Sequence, residues 1–274
     1  MEGIPIANVS HNDAMTMLEQ TSRTFFIPIS RLTEGLKEAV ASAYLCMRAI
    51  DEIEDHESIA DQTKITLLHS IRATFHSNNV MQELQQLLEP YANILPAVSV
   101  RMHEWLLLCP SSAAQTVYRY IAMMSEQMAE WVQRKWSIRT EEDLDGYTYS
   151  VAGMVGEMLS ELWQWHDGTI ADKVKAVAFG RGLQAVNILR NRTEDLERGV
   201  DFYPDGWEQA DMIRYIDRNL QLANEYVADL KQGPALEFCA LPLALAHATV
   251  QTIAGGGTKL SRANVMDIVS RVSS

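Results

Sequence analysis

Cysteine is scarce in this chain of 274 residues: Cys46, Cys109 and Cys239 stand far apart with no CxxC pair. That spacing excludes a disulfide framework and a zinc site, and the three read as reduced core residues. Basic residues are also in short supply, 23 Lys and Arg against 36 Asp and Glu, for a formal net charge of −13. A nucleic-acid partner is excluded, because wrapping a phosphate backbone needs a surplus of cations on the binding face. No basic start followed by an apolar run marks a leader, since His11, Asp13 and Glu19 interrupt the opening residues. The most apolar stretch, Cys239 to Ala254, carries His247 and Gln251. It is shorter than the roughly 20 residues that span a bilayer. The expectation is a cytoplasmic protein without a transmembrane segment. Transient membrane contact for a lipid substrate or product stays open, as does the oligomeric state.

Strand patterns are missing too. No run of four to eight residues alternates Val, Ile or Thr with polar residues between turn signals. What is present is helix periodicity, as in Leu36, Val40, Ala43, Tyr44, Met47 and Ile50. The fold class is therefore all-α. With 47% hydrophobic and 22% charged residues and no long Gly, Ser or Pro tract, one domain over residues 1–274 is expected. Punctuation at Pro28, Ser58 to Asp61, Pro90, Pro96, Cys109 to Ser112, Gly168, Pro204 to Gly206, Gly233-Pro234 and Gly255 to Gly257 marks roughly ten helices. Ser111, Thr140 and Ser261 are candidate N-caps, and Thr140 with Asp143 resembles a capping box. Two segments, Thr33 to Asp55 and Ile170 to Arg198, read as long helices with acids in their C-terminal parts.

In Ala49-Ile50-Asp51-Glu52-Ile53-Glu54-Asp55-His56, Asp51 and Asp55 are one helical turn apart and project from one face. Like charges so placed repel by about a few tenths of a kcal/mol unless a cation lies between them. Mg²⁺ suits such a pair, because it takes one or two carboxylates, keeps waters and bridges to phosphate. A solvated acidic helix end has the same pattern. Arg48 and the apolar run through Leu45 and Met47 favour a pocket mouth instead. His56 is either a proton carrier for this segment or an exposed bystander.

In Leu183 to Asp195, the residues Asn187, Asn191 and Asp195 recur every four positions beside Ile188 and Leu189, giving a polar ridge against an apolar wall. An amide on such a face is informative, since burying it unpaired is costly. A structural Asn ladder remains the alternative.

Four ordered stretches carry a resemblance: Ser22-Arg23-Thr24-Phe25-Phe26, Tyr44 to Asp55, Val151-Ala152-Gly153-Met154-Val155-Gly156-Glu157, and Gln184 to Asp195 followed by Gly199 and Pro204. Along most of its length the chain resembles the squalene and phytoene synthase family, which includes bacterial dehydrosqualene synthases. The resemblance implies an isoprenoid synthase-type helical bundle with a central cavity, Mg²⁺ as cofactor, and farnesyl or geranylgeranyl diphosphate as substrate. It implies Asp51 and Asp55 as the first metal pair, and Asn187, Asn191 and Asp195 as metal ligands of the second site. Ser22, Arg23, Phe25, Tyr44, Arg48, Gln184, Asn187 and Arg190 are implied as substrate contacts, and Asp51, Asp55, Asn191 and Asp195 as the catalytic set. Arg suits diphosphate because its planar fork stays charged and binds oxygens in pairs. The small residues of Val151 to Gly156 suit close helix packing or room for an isoprenoid chain.

Two positions depart from the condensing members of that family, Asn191 in place of Asp and Val200 in place of Arg, and Ser150 stands where squalene synthases place Tyr, a position at which carotenoid-type members also vary. An altered ligand of this kind weakens a metal site by about ten- to a hundredfold, roughly 1.4 to 2.8 kcal/mol. Both Asn191 and Val200 fall on one side of the pocket that the resemblance implies. The expectation is thus a divergent bacterial member of farnesyl diphosphate phosphatase type, releasing farnesol and diphosphate. Head-to-head condensation to squalene, dehydrosqualene or phytoene is the alternative, followed by a non-catalytic helical binding protein.

Overall fold

A computed structural model describes residues 11–272, with the side chain of Arg23 excepted. The opening residues, on which the absence of a leader was partly argued, and the expected Arg23 contact lie outside the described residues. No strand occurs among the described residues, and the fold is all-α. The contacts divide into two compact units, one through Val132 and one from Gln133.

The first unit runs α1 (His11–Thr21), α2 (Arg23–Ser30), α3 (Leu36–Glu54), α4 (Asp61–Thr74), α5 (Val80–Leu88), α6 (Ala97–Val100), α7 (Met102–Trp105) and α8 (Ser111–Gln133). The sequence periodicity puts the start of α3 at Thr33, but Gly35 adopts a left-handed φ of 83° and the helix begins after it. The Glu38 carboxylate then accepts the Gly35 N–H. α3 is buried along most of its length, with Ala43, Leu45, Cys46, Ala49, Ile50 and Ile53 at 0% exposure. Each of the two isoleucines stabilises by about 1.5–3 kcal/mol. The short helices α6 and α7 lie against it, and the Ser99 hydroxyl donates to the Ala49 carbonyl at 3.0 Å. Helices of four residues carry no periodicity, which is why the sequence shows about ten helices where fourteen are formed among the described residues.

The second unit holds α9 (Glu141–Thr148), a π turn over Tyr149–Gly153, α10 (Met154–Asp167), α11 (Lys173–Glu197), α12 (Gln209–Asp229), α13 (Pro234–Ala254) and α14 (Arg262–Val272). The capping box at α9 forms: Thr140 Oγ1 accepts the Asp143 N–H and Asp143 Oδ2 accepts the Thr140 N–H, both at 3.1 Å. Ser261 Oγ accepts the Asn264 N–H at 3.1 Å and starts α14. Ser111 falls inside the first turn of α8 instead of capping it. α13 is longer than the apolar stretch suggests. Its 21 residues include an 18-residue stretch of mean hydropathy 1.3, long and apolar enough to cross a membrane, but half of that stretch is buried, and the helix packs against α11, α12 and α14.

The small residues after Val151 serve close packing. A Cβ on Gly156 would meet the Ala176 carbonyl oxygen at 2.1 Å, and one on Gly180 would meet that of Ala152 at 2.1 Å. Backbone on backbone leaves no side chain to swing aside, so this crossing fixes α10 and the π turn against α11. Replacing Gly180 by Ala is expected to lower stability by about 1–3 kcal/mol or more, read as a drop in the urea midpoint. An unchanged midpoint would show that the crossing opens freely.

Candidate functional site

The first unit gathers most of the residues expected at the amino-terminal half of the site. Ser22 caps α2, its Oγ accepting the Phe25 N–H at 3.1 Å, and it also hydrogen-bonds Tyr44 on α3. The Phe25 and Tyr44 rings pack with centroids 5.8 Å apart. One turn on, Arg48 pairs through its terminal nitrogen with Glu52. Its Nε is buried without a hydrogen-bond partner, a donor left over in a place where buried donors are normally satisfied. Burial raises the Tyr44 hydroxyl above its usual value, against the pull of Ser22 and Arg48.

Asp51 is half-buried and Asp55 exposed at the C-cap of α3. Burial pushes the Asp51 carboxyl up to about 7; Arg48 pulls it down, and the Asp55 and Glu52 charges push it further up. Asp51 therefore lies in a place where a carboxylate is poorly stabilised by what surrounds it.

In the second unit α11 presents Gln184, Asn187, Arg190, Asn191 and Asp195. Asp172 caps the helix, with Oδ1 accepting Val174 N–H at 2.8 Å, and the start falls at Lys173 rather than Ile170 for that reason. The ridge is closed on itself. The Arg190 guanidinium donates to Asn187 Oδ1 at 3.0 Å and to Asn191 Oδ1 at 3.1 Å. Asn187 donates to Gln184 at 3.5 Å. Asp195, only 7% exposed, accepts from Arg198 at 2.6 Å.

The fold matches that of solved relatives. The complex of TcSQS with the ligand BPH1237 superposes with a TM-score of 0.77 at 21% identity, over 95% of this chain and 85% of that one. A dehydrosqualene synthase in complex with a ligand gives 0.62 at 17% identity, over 95% and 94%. Human squalene synthase is 27% identical over 290 residues, covering 92% of this chain and 67% of its own. The squalene synthase of Bos taurus is 29% identical over 265 residues, covering 85% and 61%. The chain spans about two thirds of the length of these curated relatives. The model of squalene/phytoene synthase matches residues 18–210. The chain belongs to the squalene/phytoene synthase family.

Members of the squalene/phytoene synthase family act on prenyl diphosphates and generally use a divalent metal. Among the described residues no group of three or more His, Cys, Asp or Glu is placed to hold a metal. An all-protein cage is thus absent, but Mg²⁺ does not ask for one: it takes one or two carboxylates and completes its shell with water and phosphate oxygens. Asp51, raised by burial and by its neighbours, fits a divalent ion that would relieve both effects. The second segment fits less well, because its two amide oxygens already accept from Arg190 and its carboxylate from Arg198.

Sequence reasoning misses three features of this family member. Lys64 is 5% exposed and donates to the Glu54 carbonyl at 2.7 Å, a contact that no spacing announces. His56 is not an idle bystander. Its Nε2 lies 3.1 Å from the Ile94 carbonyl and its Nδ1 is 3.3 Å from the Ser58 N–H. Nε2 therefore carries the proton, Nδ1 accepts, and the ring pins the turn after α3. Behind the second segment opens a cleft of about 620 Å³ lined by Arg134, Lys135, Trp136, Arg139, Val200 and Trp207 among others. Arg192 stands there over Tyr203, 3.7 Å from the ring centre, and bonds Asp201 at 2.9 Å. The run Arg134-Lys135-Trp136-Ser137-Ile138-Arg139 was the signal available for it.

A carboxyl whose pKa is raised on folding favours the folded state when protonated. That contribution is full below the unfolded value of 3.8 and is lost as pH rises through about 7. Without Mg²⁺ the protein is expected to lose on the order of 1–3 kcal/mol between pH 4 and pH 7.5 on this account, discounted for partial exposure. Asp51→Asn should flatten the dependence in urea unfolding with chelator present. An Asp51→Asn slope equal to that of the parent would place the titrating group elsewhere.

Proposed function

We propose that the chain is a Mg²⁺-dependent prenyl diphosphate enzyme whose main reaction is hydrolysis of farnesyl diphosphate to farnesol and diphosphate. The observation that carries the reading is the inequality of the two segments. The first keeps Asp51 and Asp55 with Arg48 and its spare Nε donor. In the second, Asn191 and Asn187 share one guanidinium, Asp195 is held by Arg198, and Val200 brings no charge.

On this reading Asp51 and Asp55 hold Mg²⁺, which supplies charge neutralisation for the leaving diphosphate. Arg48 and Arg190 bind diphosphate oxygens, with Ser22, Arg23, Tyr44, Gln184 and Asn187 completing the contacts; Asn191 and Asp195 belong to the weaker metal side. The bond between the allylic carbon and the diphosphate oxygen breaks with its electron pair leaving on the diphosphate. Phe25 and Tyr44 offer ring faces toward the positive carbon skeleton. Water adds to the allylic carbon and a proton is lost, giving the alcohol. The work of residues 1–274 as one domain around a central cavity, in the cytoplasm and with brief membrane contact for the lipid product, is part of the same proposal.

Condensation of two prenyl diphosphates is the second reading, and the names of the relatives favour it: the curated relatives are squalene synthases, and a dehydrosqualene synthase shares the fold. Incubation of the pure protein with farnesyl diphosphate and Mg²⁺, with and without NADPH, separates the readings through the organic extract. Farnesol is the expected product; a C30 hydrocarbon as the main product sinks the hydrolase, and binding without turnover leaves a non-catalytic protein. Asp51→Ala or Asp55→Ala should lower turnover by about two orders of magnitude or more. The pair Asn191→Asp with Val200→Arg should raise the condensed fraction, and an unmoved product ratio would clear those two positions of responsibility.

A further inference from the structure

The acids of α3 lie in its last turn, where a helix leaves its final carbonyl oxygens without intrahelical donors. The Glu54 carbonyl is one of these. It belongs to the peptide group that joins Glu54 to Asp55, so whatever holds it also sets the plane from which Asp55 departs. The Lys64 ammonium holds it, at 2.7 Å.

Lys64 stands in the first turn of α4 and is 5% exposed. A position that served packing alone would be filled better by an apolar side chain, since withdrawing an ammonium from water is costly. A cation at a helix C-terminus also offsets the negative end of the helix dipole, here made more negative by the acids beside it. The grip is local to the metal pair. Ser99 holds the Ala49 carbonyl, upstream of both aspartates, and His56 holds the turn beyond them; Lys64 alone of these three acts on the peptide between Asp51 and Asp55.

We propose that Lys64 is a positioning residue: by bonding the Glu54 carbonyl it keeps the Asp51–Asp55 turn formed before a cation arrives, and so sets the affinity for Mg²⁺. The proposal rests on the reading of Asp51 and Asp55 as the Mg²⁺ pair. One of its consequences, order in the metal-free turn, does not.

The test compares Lys64→Met and Lys64→Arg with Ser99→Ala, each as the full chain. In metal-free protein, amide exchange at Ile53 to Asp55 should quicken by about tenfold in Lys64→Met and stay near the parent rate in Lys64→Arg, which keeps a donor. Titration with Mg²⁺ alone should show binding weakened about tenfold in Lys64→Met, within the range for residues that orient metal ligands, with farnesyl diphosphate turnover recovering at high Mg²⁺. Ser99→Ala should leave the Mg²⁺ constant unchanged. Equal Mg²⁺ constants in Lys64→Met and Ser99→Ala, or unaltered exchange at Ile53 to Asp55, overturn the proposal. If Lys64→Met does not fold, Lys64→Gln takes its place under the same criteria. If the parent binds no Mg²⁺ at all, the proposed function fails, and the exchange comparison still decides whether Lys64 orders the turn.

Discussion

Acidic side chains sit badly at the C-terminal end of a helix, where the aligned peptide dipoles already concentrate negative charge. The last turn of α3 nevertheless carries Asp51, Glu52, Glu54 and Asp55. The first unit answers two of the four from within. Glu52 takes the Arg48 guanidinium, and Glu54, 4% exposed, has the Lys64 ammonium at its own carbonyl. The other two, Asp51 and Asp55, are the pair that shares one helix face. Asp51 shows the cost of this placement in a carboxyl that burial raises to about 7, against the pull of Arg48.

The second segment solves a different problem. Its ridge is built from amides and one buried carboxylate, and α11 with its C-cap residue supplies the cations: Arg190 between two Asn oxygens, Arg198 on Asp195, Arg192 over Tyr203. Arg190, Arg192 and Arg198 equal Glu194, Asp195 and Glu197 in number, whereas Arg48 and Lys64 stand beside the four acids of α3. An excess of negative charge concentrates divalent ions and a balanced set does not. The rigidity needed to keep the ridge in register comes from the glycine contacts of α11 with the π turn and α10.

The all-α class, the two long acidic helices and the spacing of their polar residues were legible in the sequence, because each depends on periodicity within one helix. The caps at Thr140 and Ser261 were legible for the same local reason, while Ser111 missed by one residue because α8 starts one residue earlier, its first bonds running to the Pro110 carbonyl. Lys64 and the pairing of Ser99 with Ala49 were not legible. Each joins segments 10 and 50 positions apart, and a lysine or serine at such a place has no pattern of its own. Nor could spacing show that Arg190, expected on a diphosphate, occupies the amide oxygens expected on a metal. A helical register states which residues share a face but not which of them bond to one another.

Hydrolysis and condensation share their first event, departure of diphosphate from an allylic carbon, and diverge only in what meets that carbon. Damage to the group that promotes departure lowers both products alike. Damage to the group that holds a second prenyl chain lowers one product and leaves the carbon to water. The first segment, on the proposed reading, keeps the parts suited to departure, and the changes from the family pattern fall at Asn191 in the second and at Val200 just behind it. On the proposed reading the substitutions act as a selector between outcomes more than as a loss of catalysis. On the same reading, a chain that shares its fold with TcSQS at a TM-score of 0.77 would differ in product, because the bond that breaks and the partner that captures the carbon would be governed by different helices.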